Sequence, residues 1–301
     1  MRLRIGNEEI PYPLFTMRGR LRVSGLTDYE TAKIVNEESL GDIDTEEGLY
    51  SHIRNSLTEF DSSIHSNFEV LTKYEMLRGE SSDLPPIVIA IEGASATGKS
   101  MIALELIHDL TATRFISTDS LRQIIRVMVS QEDHPELFCH TYQAYKFRQV
   151  GPSKLDSRVR GFLAQCEIIT PYIITMIERL VTEGTIAVIE GVHLEPGTLE
   201  KLGPGVVEVL VNPDPETHRS MFASKYAIGR LKTVSEDIHV RKTEFEAARA
   251  IQEYMIKAAE KSRVAIVPLT DYDEARKKVS SIIVSRVEKL LHSFEESAIR
   301  S

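Results

Sequence analysis

The stretch IVIAIEGASATGKS, residues 87–100, constrains this chain more than any other. Six mostly apolar residues lead into Gly93-Ala94-Ser95-Ala96-Thr97-Gly98-Lys99-Ser100, which fits G-x-x-x-x-G-K-[ST] without a mismatch; Met101 follows. A loop that wraps a phosphate chain must turn successive backbone N–H groups inward, and glycine supplies the dihedrals and the close approach. A helix starting near Lys99 adds its positive dipole end. Lys99 can then reach the β- and γ-phosphates, and the Ser100 hydroxyl can ligate Mg²⁺. Residues 93–101 are the expected nucleotide-binding segment, with ATP and Mg²⁺ as the expected cofactors.

Around this loop the text alternates. IVIAIE (87–92), RFIST (114–118), TIAVIE (185–190), VVEVLV (206–211) and VAIVPL (264–269) read as strands. Helical patterns separate them at 99–110, from Ser120, over about 157–183, up to about Lys261, and at the C-terminus. Five apolar strands separated by helices predict an α/β fold with a doubly wound parallel sheet covered on both faces. Pro171 should kink or interrupt the long helix.

SSDLPP at 81–86 is the clearest break and divides a small α+β domain, 1–80, from a larger domain, 86–301. In the small domain RLRI-GN-EEIPY reads as a hairpin turning at Gly6-Asn7. Thr27-x-x-Glu30 reads as a capping box opening a helix to about Leu40, and further helices fit about 46–60 and 67–78.

Thirty-six Lys and Arg against 45 Asp and Glu leave a net charge of −9, which argues against a general nucleic-acid binder. No run is long enough to span a bilayer and the N-terminus lacks a signal-peptide core, so the expected setting is the cytoplasm, without a membrane. Cys139 and Cys166 lack metal-site spacing and read as buried free thiols.

A guanine-reading Asn-Lys-x-Asp is absent; Asn212-Pro213-Asp214-Pro215 lacks the lysine. Motor ATPases end their second acidic strand in Asp-Glu, whereas this chain has AVIEGVHL, one acid before a glycine. That suits a small P-loop kinase, where a single acid leaves room for an acceptor. Asp119, after the second strand, could accept the proton of an attacking hydroxyl or could simply cap its helix, although Ser120 with Gln123 already offers a capping box. Arg122 and Arg126, four apart, share a helix face and either grip an anionic acceptor or face solvent. Glu190 could hold Mg²⁺ or orient the acceptor, or be a structural acid; His193 could line the site or be a satisfied structural histidine. A lid is expected around 213–242, with Arg219, Lys225, Arg230 and Arg241 as candidates to close over the phosphoryl group and Arg219 the best placed.

IEGASATGKS (91–100), RFISTDSLRQIIR (114–126), EGTIAVIEGVHLEPG (183–197), DPETHRSMF (214–222) and the tail IQEYMIKAAEKSRVAIVPL (251–269) together resemble the archaeal 2-phosphoglycerate kinase family. The resemblance covers most of residues 86–290. It implies a P-loop kinase fold with a lid and transfer of a phosphoryl group from ATP to 2-phosphoglycerate, giving 2,3-bisphosphoglycerate with Mg²⁺. Residues 1–80 resemble, weakly, an ATP-cone regulatory module, a type that acts elsewhere through oligomer contacts, so a homo-oligomer stays open. The chain departs from the family where Ala96 replaces a usual glycine and where Met221 and Lys225 replace arginines. Losing two bidentate phosphate grips leaves two alternatives open. One is the same chemistry on a sugar or cyclitol phosphate, and the other is a non-catalytic ATP-binding regulatory protein.

On this reading Lys99 and the loop amides hold the triphosphate, Ser100 and Glu190 the metal, and Asp119 positions or deprotonates the hydroxyl. Arg122, Arg126, Glu190 and His193 meet a small phosphorylated or anionic acceptor, and Arg219 neutralises charge in the transition state.

Overall fold

The computed structural model describes residues 1–5, 8–41, 43–229 and 237–300. They fall into two compact units, Met1–Pro85 with Glu105–Thr113 and Arg276–Ser301, and Pro86–Leu104 with Arg114–Ala275. The break in the main chain falls between Pro85 and Pro86. The first unit, unlike the sequence reading, also takes in two later segments.

In the first unit β1 (Arg2–Ile5) pairs antiparallel with β2 (Glu8–Pro11). The expected turn at Gly6-Asn7 lies outside the described residues. Helices α1 (Leu14–Ser24), α2 (Asp28–Ile34), α3 (Glu37–Leu40), α4 (Glu46–Leu57) and α5 (Ser62–Glu80) follow. The capping box at the start of α2 is present: Thr27 Oγ1 accepts from the Glu30 amide at 3.3 Å and Glu30 accepts from the Thr27 amide at 2.8 Å. The helix stops at Ile34 rather than Leu40 because Asn36 interrupts it. Its side chain donates to the Ala32 and Lys33 carbonyls and accepts from the Ser39 amide. Leu3, Met17, Leu21, Leu49, Ile53 and Phe68 form the apolar core.

One buried ionic cluster joins the segments of this unit. Arg22 pairs with Asp28 at 3.0 Å, Glu105 at 2.9 Å and Asp109 at 3.1 Å. Arg276, 1% exposed, donates to the Arg22 and Leu26 carbonyls and lies 3.6 Å from Asp109. A Cβ on Gly19 would sit 2.5 Å from the Asp109 carbonyl oxygen, so only glycine lets α1 approach this closely. Burial pushes the Asp109 carboxyl up to about 7, although Arg22 and Arg276 pull it down.

The second unit is built on β3 (Val88–Glu92), β4 (Arg114–Ser117), β5 (Ala187–Gly191), β6 (Val206–Asn212) and β7 (Ala265–Pro268). They form one parallel sheet in the order β4-β5-β3-β6-β7. β3 and β5 are buried at every position, as strands covered on both faces must be. Helix α6 (Lys99–Asp109) follows the loop after β3, and α7 (Thr118–Met128) follows β4. Then come α8 (Ser157–Thr182), α9 (Pro215–Gly229) and α10 (Ile238–Ser262), and α11 (Tyr272–Arg300), which from Arg276 onward belongs to the first unit. The chain is a doubly wound α/β protein.

Two local expectations change. Helix α7 starts at Thr118 with Ser117 as its N-cap residue, so the Ser120–Gln123 box is not the cap in use. Helix α8 runs through Pro171 without interruption. Both Pro171 and Glu167, whose carbonyl loses its intrahelical donor there, are exposed, so water can satisfy that carbonyl. Cys139 and Cys166 are free thiols, as expected, but only Cys166 is buried and Cys139 is half-buried. Among the described residues no helix is long and apolar enough to cross a membrane.

Arg276→Met removes a buried cation from beside Asp109, a change that costs about 3 kcal/mol when the remaining charge stays buried. Without Arg276, Asp109 holds its proton to higher pH. Urea unfolding should therefore show the larger deficit at pH 8 and a smaller one at pH 6, below the value of about 7.

Candidate active site

The sheet reverses its winding at β3, which has β5 on one side and β6 on the other. Ligands of open α/β sheets bind at the carboxyl ends of the strands at such a point. The loop Gly93–Gly98 lies there. Gly93 and Gly98 have φ of 150° and 86°, and Ala96 has φ of 66°, a left-handed conformation that only glycine adopts without cost. Ala96 thus occupies the conformation that glycine would provide at that position.

Ala94 is the anchor of the loop. Its carbonyl accepts from Thr97 Oγ1 at 3.1 Å and from Lys99 Nζ at 3.3 Å. Its amide donates to Gln252 Oε1 at 2.9 Å. From α9, His218 Nε2–H donates to the Ser95 carbonyl at 2.9 Å and Lys225 Nζ donates to Ser95 Oγ at 3.2 Å. Burial lowers the pKa of both His218 and Lys225, and Lys99 adds to the effect on Lys225. The Met101 amide donates to the Gly98 carbonyl at 3.1 Å, and the Met101 side chain is exposed. Of the expected loop donors, the amides of Ala94 and Met101 are therefore already engaged.

Ser100 and Glu190 are brought together: Ser100 Oγ donates to Glu190 Oε2 at 3.0 Å. A hydroxyl and a carboxylate are hard oxygen donors that suit Mg²⁺, which keeps water and phosphate oxygens as its other ligands. Among the described residues no group of three or more His, Cys, Asp or Glu side chains could hold a metal ion by itself.

Asp119, at the start of α7, has a side chain that is 60% exposed and accepts from Arg122 Nη2 at 3.0 Å. The protein around it desolvates the carboxyl, which alone would raise its pKa. His193 first, then Arg122, Lys99 and Lys225, act the other way and bring it below the usual carboxylate range.

Arg122 and Arg126 lie on one face of α7, and each is already engaged within the protein. Arg122 Nη1 donates to the Cys139 carbonyl. Arg126 donates to the carbonyls of Leu137 and Cys139 and to Gln123, and lies over the Phe138 ring. Both arginines clamp the segment 137–139 in this structure.

His193 takes the structural alternative. It is 0% exposed, and both ring nitrogens have partners. Gln165 Nε2 faces carbonyl oxygens, so its Oε1 accepts from His193 Nε2–H at 3.0 Å. Thr118 Oγ1 lies 3.0 Å from Nδ1 and donates to it. Burial lowers the His193 pKa to about 3, so the ring is neutral near pH 7. Gly191 permits this packing, because a Cβ there would fall 1.7 Å from Thr118 Oγ1.

The lid candidates separate. Arg219 does not face the loop; it is exposed, lies over the Phe245 ring, and borders a 300 Å³ cavity with Phe222, Arg241 and Lys242. The reason is helical phase: His218 and Lys225, seven residues apart, share the face of α9 that meets Ser95, and Arg219 points elsewhere. Arg230 lies outside the described residues. Met221, where the family carries arginine, lies with Leu269 and Tyr272 against Gly98.

No family model matches the chain. The 2-phosphoglycerate kinase of Methanopyrus kandleri is 28% identical over 300 residues, 96% of this chain and 88% of that protein. Those of Methanothermobacter thermautotrophicus and Methanococcus vannielii are 29% and 26% identical, over 77% and 92% of this chain and 73% and 90% of theirs. The chain resembles archaeal 2-phosphoglycerate kinases. A match over 96% of the residues takes in most of the N-terminal unit as well as the phosphate loop.

Three residues at the site carried no sequence signal strong enough to find them. Gln252 and His218 sit in motifs that carry the resemblance, yet nothing local distinguishes them from surface polar residues. Glu92 reads as the polar end of a strand but is 0% exposed. Neighbouring Glu208 accepts the amides of Gly197, Thr198 and Glu200 at 3.0–3.1 Å. Burial first, and Glu208 second, push the Glu92 carboxyl well above its usual range, so the folded chain keeps it protonated.

Two measurements check these environments. Ala96→Gly should relieve the left-handed alanine and raise thermal stability by up to about 1 kcal/mol, part of the gain being offset by the freer unfolded chain. Glu92 binds a proton in the folded chain that the unfolded chain releases above its ordinary pKa, so stability falls as pH rises through that range. Glu92→Gln removes this slope. Its melting temperature should exceed that of the parent by more at pH 8 than at pH 5.

Proposed function

We propose that this chain is a kinase that transfers the γ-phosphoryl group of ATP to the free hydroxyl of 2-phosphoglycerate, giving ADP and 2,3-bisphosphoglycerate. The observation that carries the reading is the ionised, accessible Asp119 carboxylate set among Arg122, Lys99 and Lys225 in a unit built on a phosphate loop. The similarity to archaeal 2-phosphoglycerate kinases supports the acceptor. On this reading Lys99 leaves the Ala94 carbonyl to meet the β- and γ-phosphates, and the loop amides not engaged within the protein bind the remaining phosphate oxygens. Ser100 and Glu190 would hold Mg²⁺, which when bound neutralises phosphate charge.

The hydroxyl oxygen of the acceptor bonds to the γ-phosphorus as the bond to the β–γ bridging oxygen breaks. The hydroxyl proton passes to Asp119, and ADP departs with the electron pair of the broken bond. Lys225, rather than Arg219, is the α9 cation next to the loop. Arg122 keeps Asp119 ionised and oriented. The cytoplasm is the setting in which such a metabolite kinase works.

Met221 against Gly98, and arginines engaged with carbonyls, favour one further reading: the same transfer to another phosphorylated hydroxyl compound, such as a sugar or cyclitol phosphate.

Phosphorus NMR of the purified chain with ATP, Mg²⁺ and 2-phosphoglycerate tests the proposal, with Lys99→Ala as the blank. A second phosphoester resonance on the glycerate is expected with the parent and not with the variant. ATP consumption that gives no such resonance, followed by product from a sugar phosphate, would replace the acceptor. Asp119→Asn should lower turnover by about 10²-fold or more while ATP affinity stays within about two-fold. Unimpaired turnover would remove Asp119 from the mechanism.

A further inference from the structure

The tail IQEYMIKAAEKSRVAIVPL takes no part in the mechanism above, yet its second residue reaches the phosphate loop. Gln252, on α10, is 0% exposed. Its Oε1 accepts from the Ala94 amide at 2.9 Å. Its Nε2 donates to the Val211 carbonyl at 3.0 Å and to Asn212 Oδ1 at 3.2 Å. The amide orientation is unambiguous, because an N–H must meet the oxygen and a carbonyl must meet the nitrogen.

These partners define the seam where the loop leaves the sheet. A Cβ on Gly93 would lie 3.2 Å from the same Val211 oxygen, so the first loop glycine is packed against the group that Gln252 holds. One turn earlier on α10, Arg249 Nη1 donates to the Pro213 carbonyl at 3.1 Å. Helix α10 is fixed in turn by Phe245, Ala248, Ile251 and Met255, which pack in one cluster with Ala94 and Leu210.

We infer that Gln252 is a positioning residue for nucleotide binding: one side-chain amide ties the Ala94 amide to the end of β6 and so sets the path of the phosphate loop. The inference rests on the nucleotide-binding half of the function proposed above. With its amide and carbonyl both held inside the protein, Ala94 stays in place while Lys99 exchanges its carbonyl for phosphate. The loop then meets the triphosphate already shaped, and binding does not have to supply the ordering. Removing Gln252 would leave the Ala94 amide, the Val211 carbonyl and Asn212 Oδ1 short of a partner in a buried place. The loop would sample other paths.

The test is isothermal titration of the full chain with Mg²⁺ and a non-hydrolysable ATP analogue, without acceptor. It uses Gln252→Met, which keeps the length and removes the polar atoms. A second variant, Ile173→Ala in α8, controls for lost stability alone. Gln252→Met should weaken analogue binding on the order of ten-fold, the equivalent of about one hydrogen bond left unmade. Ile173→Ala should bind as the parent does at temperatures where it is folded. If Gln252→Met does not fold, Gln252→Asn, polar but too short to span both partners, carries the same expectation. Parent-like affinity in the folded glutamine variant, or an equal loss in Ile173→Ala, would overturn the inference. A parent chain that binds no analogue would overturn the kinase reading as well, whereas parent binding with an unaffected variant overturns this inference alone.

Discussion

A strand buried on both faces must end where a highly charged ligand begins, and the second unit is organised around that constraint. All five positions of β3 are covered, down to Glu92, and the next residue opens the phosphate loop. The chain cannot taper from apolar to solvated over several residues, so the Ala94 amide and the Glu208 carboxylate find partners within the protein, while both Glu92 carboxyl oxygens stay buried without a hydrogen-bond partner. Glu92 keeps its proton, Glu208 collects three amides, and the Ala94 amide goes to a side chain on another helix.

The same reasoning explains what was legible beforehand. The phosphate loop and the five strands stand out because their chemistry is local: glycine spacing, one lysine, one serine, and apolar runs bounded by breakers. The proximity of Ser100 to Glu190 follows from the sheet order, since Glu190 lies in β5 beside β3 and Ser100 opens the helix after the β3 loop. The break in the Thr27–Leu40 helix was not legible. It depends on Asn36 turning its side chain to the Ala32 and Lys33 carbonyls, a choice the helical periodicity does not record.

The remaining differences share one cause. Spacing shows which side chains share a face but not which of their donors are already used. Arg122 and Arg126 do stand four apart on α7, yet their guanidiniums meet carbonyls from 137–139, a stretch with no periodic signal. His193 and His218 are indistinguishable by type. One is enclosed by Thr118 and Gln165, and the other holds the Ser95 carbonyl. Arg219 and Lys225 are both cations on α9, and only the helical phase separates them.

If Asp119 is the base of the proposed transfer, its contact with Arg122 limits the chemistry it can do. A carboxylate stabilised by nearby cations is present as the anion across the physiological range, but it is also a weak Brønsted base. It could not strip an alcohol of its proton before the phosphorus is attacked. It is suited to a transition state in which the bond to the leaving oxygen is largely broken and the hydroxyl becomes acidic only as it meets the phosphoryl group. In the proposed transfer, departure of the leaving oxygen would lead and proton loss to Asp119 would follow.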